Sequence, residues 1–266
     1  MNIKKLLPGV KRNVLLKNYT TFKIGGPAKY FYIAQNKTEL IGATKQAKKI
    51  KLPFFVLGGG SNLLVSDEGF NGLVIKFGQP LSSYVSKGLE WAVGIPGTVQ
   101  GAVCGNAGAF KKSMKDVVES VEVFDTETGK VKIFKNKDCR FSYRNSIFRK
   151  KKNLIILSVR IKTKKVNAKK IKQYLDYKKQ TQPLNFPSAG SIFKNPKGFS
   201  AGELIEKCGL KGEKIGNVKI SEKHGNFIVN LGRGKAKDVI KLIKLIKQKV
   251  KNKFKVNLEE EIQYLP

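Results

Sequence analysis

A chain of 266 residues with 41% hydrophobic and 9% aromatic residues can bury one large core or two modest ones, which excludes wholesale disorder. Its charge is lopsided, with 53 Lys and Arg against 19 Asp and Glu and a formal net charge of +34. Anionic partners are the first class to consider, although the basic residues are mostly Lys and spread along the whole length, as a drift in composition would also leave them.

The elements alternate in an α+β rhythm without a fixed-period repeat. The pattern over 28–34 predicts a strand, and that over 38–50 a helix that Thr38 can cap. The run 54–57 reads as a short buried strand that empties into Gly58, Gly59, Gly60, Ser61 and Asn62, and 73–75 resumes strand character. Residues 117–125 and 131–134 flank Thr128 and Gly129, which predicts a hairpin. A further strand is expected over 154–162. Residues 164–179 are Lys-rich and helical, and the prolines at Pro183 and Pro187 end that pattern. A domain junction is therefore expected within 163–185, dividing the chain into 1–163 and 164–266. Two more helices follow, 201–208 before Gly209 and 236–254. The second places Val239, Ile240, Ile243, Ile246 and Val250 on one face and lysines opposite, the pattern of a helix packed on its own sheet, with a membrane surface or partner helix as the alternative.

Cys104, Cys139 and Cys208 are odd in number and far apart, which argues against a disulfide framework and a zinc site. Near the amino terminus only Leu6 and Leu7 precede Pro8, too little for a signal-peptide core. No stretch approaches the roughly eighteen apolar residues of a membrane span. A soluble, cytoplasmic protein without a metal site is expected. His224 is the sole histidine, which leaves little room for His-based triads, facial metal triads or His-zinc clusters, and it is expected to stabilise a turn with Asn226. Enzyme chemistry would then fall to a borrowed cofactor or to Ser, Arg, Lys and carboxylates.

The strongest local signal is LGGGSNLLV at 57–65, where glycines let backbone approach a ligand and turn N–H groups toward an anion. Neither a P-loop nor a dinucleotide fingerprint of the GxGxxG kind fits its spacing. A second cluster, GIPGTVQGA at 94–102, leads into Asn106, Ala107 and Gly108. Two such loops can hold a pyrophosphate from both sides. The candidate cofactor residues are Gly58, Gly59, Gly60, Ser61, Asn62, Gly94, Ile95, Pro96, Gly97, Thr98, Asn106 and Gly108.

NYTTFKIGGPA (18–28), GGGSNLL (58–64), GIPGT (94–98), NAGA (106–109), YRNSIF (143–148), PSAGSIFKNP (187–196) and SEKHGNFIVN (221–230) occur in that order. This series resembles the UDP-N-acetylenolpyruvoylglucosamine reductase family from about Asn18 onward. The resemblance implies an FAD-binding domain of the PCMH type followed by a smaller α+β substrate-binding domain. It also implies an NADPH-dependent flavoprotein of peptidoglycan precursor synthesis, converting UDP-N-acetylglucosamine enolpyruvate to UDP-N-acetylmuramate. In this family hydride passes from NADPH to the flavin and then to C3 of the enol ether, and C2 takes a proton. Ser191 matches the proton donor. Arg144 matches the residue that grips the substrate carboxylate. Glu261 matches a late glutamate that polarises that carboxylate or positions a water, with Glu259 and Glu260 leaving the register open. Tyr143, Lys194 and Asn195 fall on the substrate side. The implied partner is a small-molecule substrate, with no membrane or nucleic acid and a monomeric state. The alternative, prompted by the charge, is a flavin scaffold of impaired activity that binds polyanions. Three departures stand out. The stretch 78–84 replaces most of a strand and helix usual in the family; Gln100 stands where glycine is usual; and Gln263 stands where an Arg commonly follows the late glutamate. No inserted loop carries the extra substrate tyrosine, as in the shorter of the family's two types.

Overall fold

The structure, a computed structural model, describes residues 3–266. The chain forms two compact units, each assembled from separated segments. The first comprises the chain up to Arg12, Tyr30–Gly59 and Asn71–Leu175; the second comprises Asn13–Lys29, Gly60–Phe70 and Asp176–Pro266.

After a short helix α1 (Ile3–Leu6), strands β1 (Lys11–Leu15), β2 (Pro27–Ile33), β3 (Phe54–Leu57) and β5 (Phe70–Lys76) form a sheet in the order β1-β2-β5-β3, in which β3 and β5 are parallel. Helix α2 (Lys37–Lys49) links β2 to β3. Its cap is Asn36, whose side chain accepts the Glu39 N–H at 2.9 Å, while the Glu39 carboxylate accepts from the Gln35 N–H at 2.8 Å. Asn36, rather than the expected Thr38, has the extended backbone that a cap requires. Leu40, Ala43 and Ala47 of α2 pack on Leu73 and Ile75.

The first unit holds the sheet β10-β8-β9, built from β8 (Val118–Asp125), β9 (Val131–Lys135) and β10 (Leu154–Ile161). The expected hairpin is present: Phe124 pairs with Val131, and Gly129 takes a φ of +70° in the turn. Period-two alternation splits β8 and β10 between two cores. Phe124, Ile155 and Leu157 join the α2 cluster, whereas Val121, Val123 and Ile156 join Leu81, Trp91, Val99 and Phe148. Around that second core lie helices α3 (Val99–Gly105) and α4 (Ile147–Lys150) and the small ladder of β6 (Gly108–Ala109) with β7 (Lys112–Ser113). The stretch after Phe77 forms two 3-10 turns, Leu81–Lys87 and Glu90–Ala92, separated by Gly88 at φ +97°. Helix α5 occupies Ala168–Thr181, starting later than the lysine-rich pattern suggested.

In the second unit β11 (Ser188–Ser191), β12 (Lys214–Ile215), β13 (Val218–Ile220) and β14 (Phe227–Asn230) form a sheet in the order β11-β14-β13-β12. Helices α6 (Ala201–Lys207) and α7 (Ala236–Phe254) supply Leu204, Ile205, Val239, Leu242, Ile243, Ile246 and Val250 to one core with Ile192, Val218 and Ile228. The apolar stripe of α7 thus packs inside its own unit. The first-turn N–H groups of α7 are received by Asp67, whose carboxylate accepts from Ala236 at 2.8 Å and Lys237 at 3.1 Å. Strand β4 (Leu63–Val65), directly after the glycine run, pairs in parallel with β15 (Gln263–Leu265).

Candidate active site

Within the first unit the two glycine loops meet backbone to backbone. A Cβ on Gly59 would stand 2.2 Å from the Gly97 Cα, and one on Gly58 would stand 2.6 Å from the Thr98 Oγ1. Side chains are excluded at both positions because the two loops pack directly on each other. Gly94 and Gly97 adopt φ of +68° and +126°, Ile95 is half-buried beside Pro96, and the Thr98 hydroxyl accepts the Gly101 N–H at 3.2 Å. The Lys76 ammonium donates to the Gly58 C=O at 2.5 Å, and burial pushes its pKa down. A side-chain-free cradle beside a lysine suits a pyrophosphate-bearing cofactor such as FAD.

The YRNS segment of the same unit is a tight turn in which Ser142 and Asn145 exchange N–H···O bonds of 3.1 Å, and Arg144 takes a φ of +53°. The Arg144 guanidinium lies 5.3 Å from the centre of the exposed Tyr143 ring. Asn106 anchors this turn: its Nδ2 donates to the Ser142 C=O at 2.8 Å, and its Oδ1 accepts from the Lys115 N–H at 3.0 Å. The Ser146 hydroxyl adds a bond to the Cys104 C=O at 2.7 Å. Gly108 is required by the neighbouring ladder, since a Cβ would stand 2.5 Å from the Lys112 oxygen.

The rest of the first glycine run belongs to the second unit. Gly60 accepts from the Thr21 N–H at 3.1 Å, Ser61 is half-buried, and the Asn62 Nδ2 donates to the Glu261 C=O at 3.1 Å. Glu261 lies beside the Ser191 strand. Both the Glu261 N–H (2.8 Å) and the Ile262 N–H (3.4 Å) converge on the Ile192 C=O, the pattern of a β-bulge, which re-aims a side chain. Gly190, at φ +76°, sits in the register shift of β11 just before Ser191. Of the three adjacent glutamates, Glu259 pairs with the Lys194 ammonium. Glu260 accepts from Lys247 at 2.8 Å and from the Tyr264 hydroxyl at 2.7 Å, and these bonds overcome its burial to hold its pKa low. The Asn195 Oδ1 accepts the Ala201 N–H at 3.0 Å.

His224 stabilises a turn as expected. Its Nδ1 accepts the Asn226 N–H at 3.1 Å, and burial lowers its pKa despite the opposing pull of Glu206. Sequence reasoning missed the larger part of Asn226, whose buried carboxamide bonds the Phe193 backbone, and all of Asp67 and Lys76. No local motif marks such partners. Cys104, Cys139 and Cys208 are free thiols. Among the described residues no cluster of three His, Cys, Asp or Glu could hold a metal, and no helix is long and apolar enough to cross a membrane.

A family model described as UDP-N-acetylenolpyruvoylglucosamine reductase, C-terminal domain, matches residues 182–265. The solved UDP-N-acetylenolpyruvylglucosamine reductase of Thermus caldophilus is 38% identical, with a TM-score of 0.82 over 97% of this chain and 99% of that one. The fold and these similarities define a flavin-dependent oxidoreductase of α+β architecture, with an FAD-binding domain and a substrate-binding domain. The UDP-N-acetylenolpyruvoylglucosamine reductase of Caldanaerobacter subterraneus subsp. tengcongensis is 42% identical over 94% of this chain and 92% of its own, and that of Clostridium novyi is 39% identical over 96% and 91%. This chain belongs to the UDP-N-acetylenolpyruvoylglucosamine reductase family. The alignment with the Caldanaerobacter protein runs over 279 residues, more than the 266 present here, so that relative carries segments this chain lacks.

Proposed function

We propose that this chain reduces UDP-N-acetylglucosamine enolpyruvate to UDP-N-acetylmuramate with NADPH, as a cytoplasmic monomer supplying peptidoglycan precursor. The observation that carries the reading is the 2.8 Å bond from the Glu261 N–H to the Ile192 C=O, which lays the late glutamate against the strand ending in Ser191. The glycine positions support FAD as the resident cofactor, with Gly58, Gly59, Gly60, Ser61, Asn62, Gly94, Ile95, Pro96, Gly97, Thr98 and Gly108 as the residues that would hold it. Asn106 acts there through the turn it anchors. When bound, FAD supplies the hydride obtained from NADPH.

The chain's own residues do the remaining work. The Arg144 guanidinium takes the substrate carboxylate in two-point geometry and offsets the enolate-like charge that builds during reduction. The Ser191 Oγ–H delivers the proton to C2. Glu261 donates to the same carboxylate when protonated, or holds a water when ionised. Tyr143, Lys194 and Asn195 bind the sugar nucleotide.

The test is anaerobic stopped-flow on FAD-loaded protein, following flavin colour as NADPH and then the enol ether are added. The wild type bleaches and then recovers. Ser191→Ala bleaches at the wild-type rate and stays bleached; normal recovery in that variant would remove Ser191 from its role. Salt-sensitive nucleic-acid binding without any flavin uptake would favour the polyanion-binding alternative instead.

A further inference from the structure

Gln100 occupies the second position of α3, buried at 8% exposure, and both ends of its carboxamide bond main chain within the first unit. Its Oε1 accepts the Gln79 N–H at 3.0 Å, and its Nε2 donates to the Leu157 C=O at 3.3 Å. Leu157 is the residue skipped where the β10-β8 register shifts between Ile156 and Ser158. The Gln79 segment in turn runs beside the second glycine loop: the Leu81 N–H bonds the Gly97 C=O and the Val99 N–H bonds the Gln79 C=O, both at 2.9 Å, and Pro80 bridges Thr98. Gly78 closes the arrangement at φ +124°, where a Cβ would stand 2.8 Å from the Gln100 Oε1 and 2.9 Å from the Thr98 Cβ. Gly97 is the residue that the Gly59 backbone touches.

A continuous chain of contacts therefore runs from the bulge of β10 through Gln100 to the two facing glycine loops. A glycine at position 100 could make neither carboxamide bond, and the crossing from Phe77 to Leu81 would lose its tie to the sheet. A buried carboxamide with two main-chain partners has no freedom to shift without orphaning both.

We infer that Gln100 is a positioning residue for the FAD pyrophosphate: it fixes the spacing of the Gly94–Thr98 loop against Gly58 and Gly59 without touching the cofactor. This rests on the assignment of FAD to that cradle. The test is titration of the cofactor-stripped full chain with FAD, well below its melting midpoint, by flavin fluorescence and visible circular dichroism. Gln100→Met keeps the volume and removes both bonds; Gln100→Glu keeps only the acceptor for Gln79 and serves as second variant. Each is expected to bind FAD at least about tenfold more weakly, with an altered flavin dichroism, as loss of one to two buried hydrogen bonds implies. Tyr84→Phe removes the neighbouring 2.6 Å bond to the Gln79 Oε1, leaves the clasp, and is expected to bind FAD like wild type. A lowered melting midpoint with FAD affinity within twofold of wild type, in whichever Gln100 variants fold, overturns the inference. A wild-type chain that takes up no FAD overturns the cradle assignment instead.

Discussion

The carboxamide of Asn226 holds both main-chain groups of Phe193, its Oδ1 accepting the N–H at 2.9 Å and its Nδ2 donating to the C=O at 2.8 Å. A side chain thereby replaces a strand neighbour two residues beyond Ser191. Asn226→Ala leaves two buried polar groups without partners and is expected to destabilise the protein by about 2–4 kcal/mol. Thermal unfolding of the variant checks this. Turnover should fall further than stability, because the Ser191 strand loses its brace.

Gly59→Ala tests the backbone contact of the two loops. With a Cβ 2.2 Å from the Gly97 Cα, main chain must move. An overpacking cost of about 1–3 kcal/mol at the cradle corresponds to FAD affinity weakened roughly 5- to 150-fold. Gly42→Ala is the contrast: in the middle of α2, with nothing within 4 Å of the new Cβ, it is expected to stabilise by about 0.5–1 kcal/mol. Titration with FAD and melting of both variants decide the matter.

Arg144→Lys keeps the charge and discards the planar fork. The expected outcome is a fall in kcat on the order of a hundredfold with unfolding unchanged to within about 0.5 kcal/mol. Steady-state kinetics beside a melt separate the two effects; unaltered kcat would remove Arg144 from carboxylate binding.

Lys178 provides a pH test. It is buried, and burial pushes its pKa down to about 8 from 10.5. Between those values the unfolded chain binds more protons than the folded one, so stability rises as pH increases through that window, and below it the full penalty of a buried ammonium applies. Lys178→Met is expected to abolish the alkaline rise. Denaturant melts at stepped pH give the answer.

Local patterns revealed the elements whose stabilising contacts are near in sequence. The hairpin of 118–135 follows from alternation around Thr128 and Gly129, and α7 from its stripe at Val239, Ile243, Ile246 and Val250. The glycine motifs were legible for the same reason, since a backbone that must approach a neighbour can carry no side chain. Distant partners left no such trace. Strand β4 is three apolar residues inside a loop motif, and its mate lies at the far end of the chain. The helix cap supplied by Asp67 to Ala236 and the Gln100 bond to Leu157 join residues with no common pattern. For that reason the segments Asn13–Lys29 and Gly60–Phe70, which read as parts of an amino-terminal domain, are seen to belong to the second unit only once the chain has folded.

The parallel pairing of β4 with β15 carries a consequence for biosynthesis. Leu63–Val65 are fully buried in the finished protein, and the Asn62 bond to Glu261 spans 199 positions of sequence. Until translation has delivered that late strand, an emerging polypeptide displays Leu63–Val65 as a sticky, unpartnered edge. Ribosome stalling or premature termination before the Glu259–Leu265 stretch is therefore expected to yield aggregation-prone fragments rather than a smaller, stable flavoprotein.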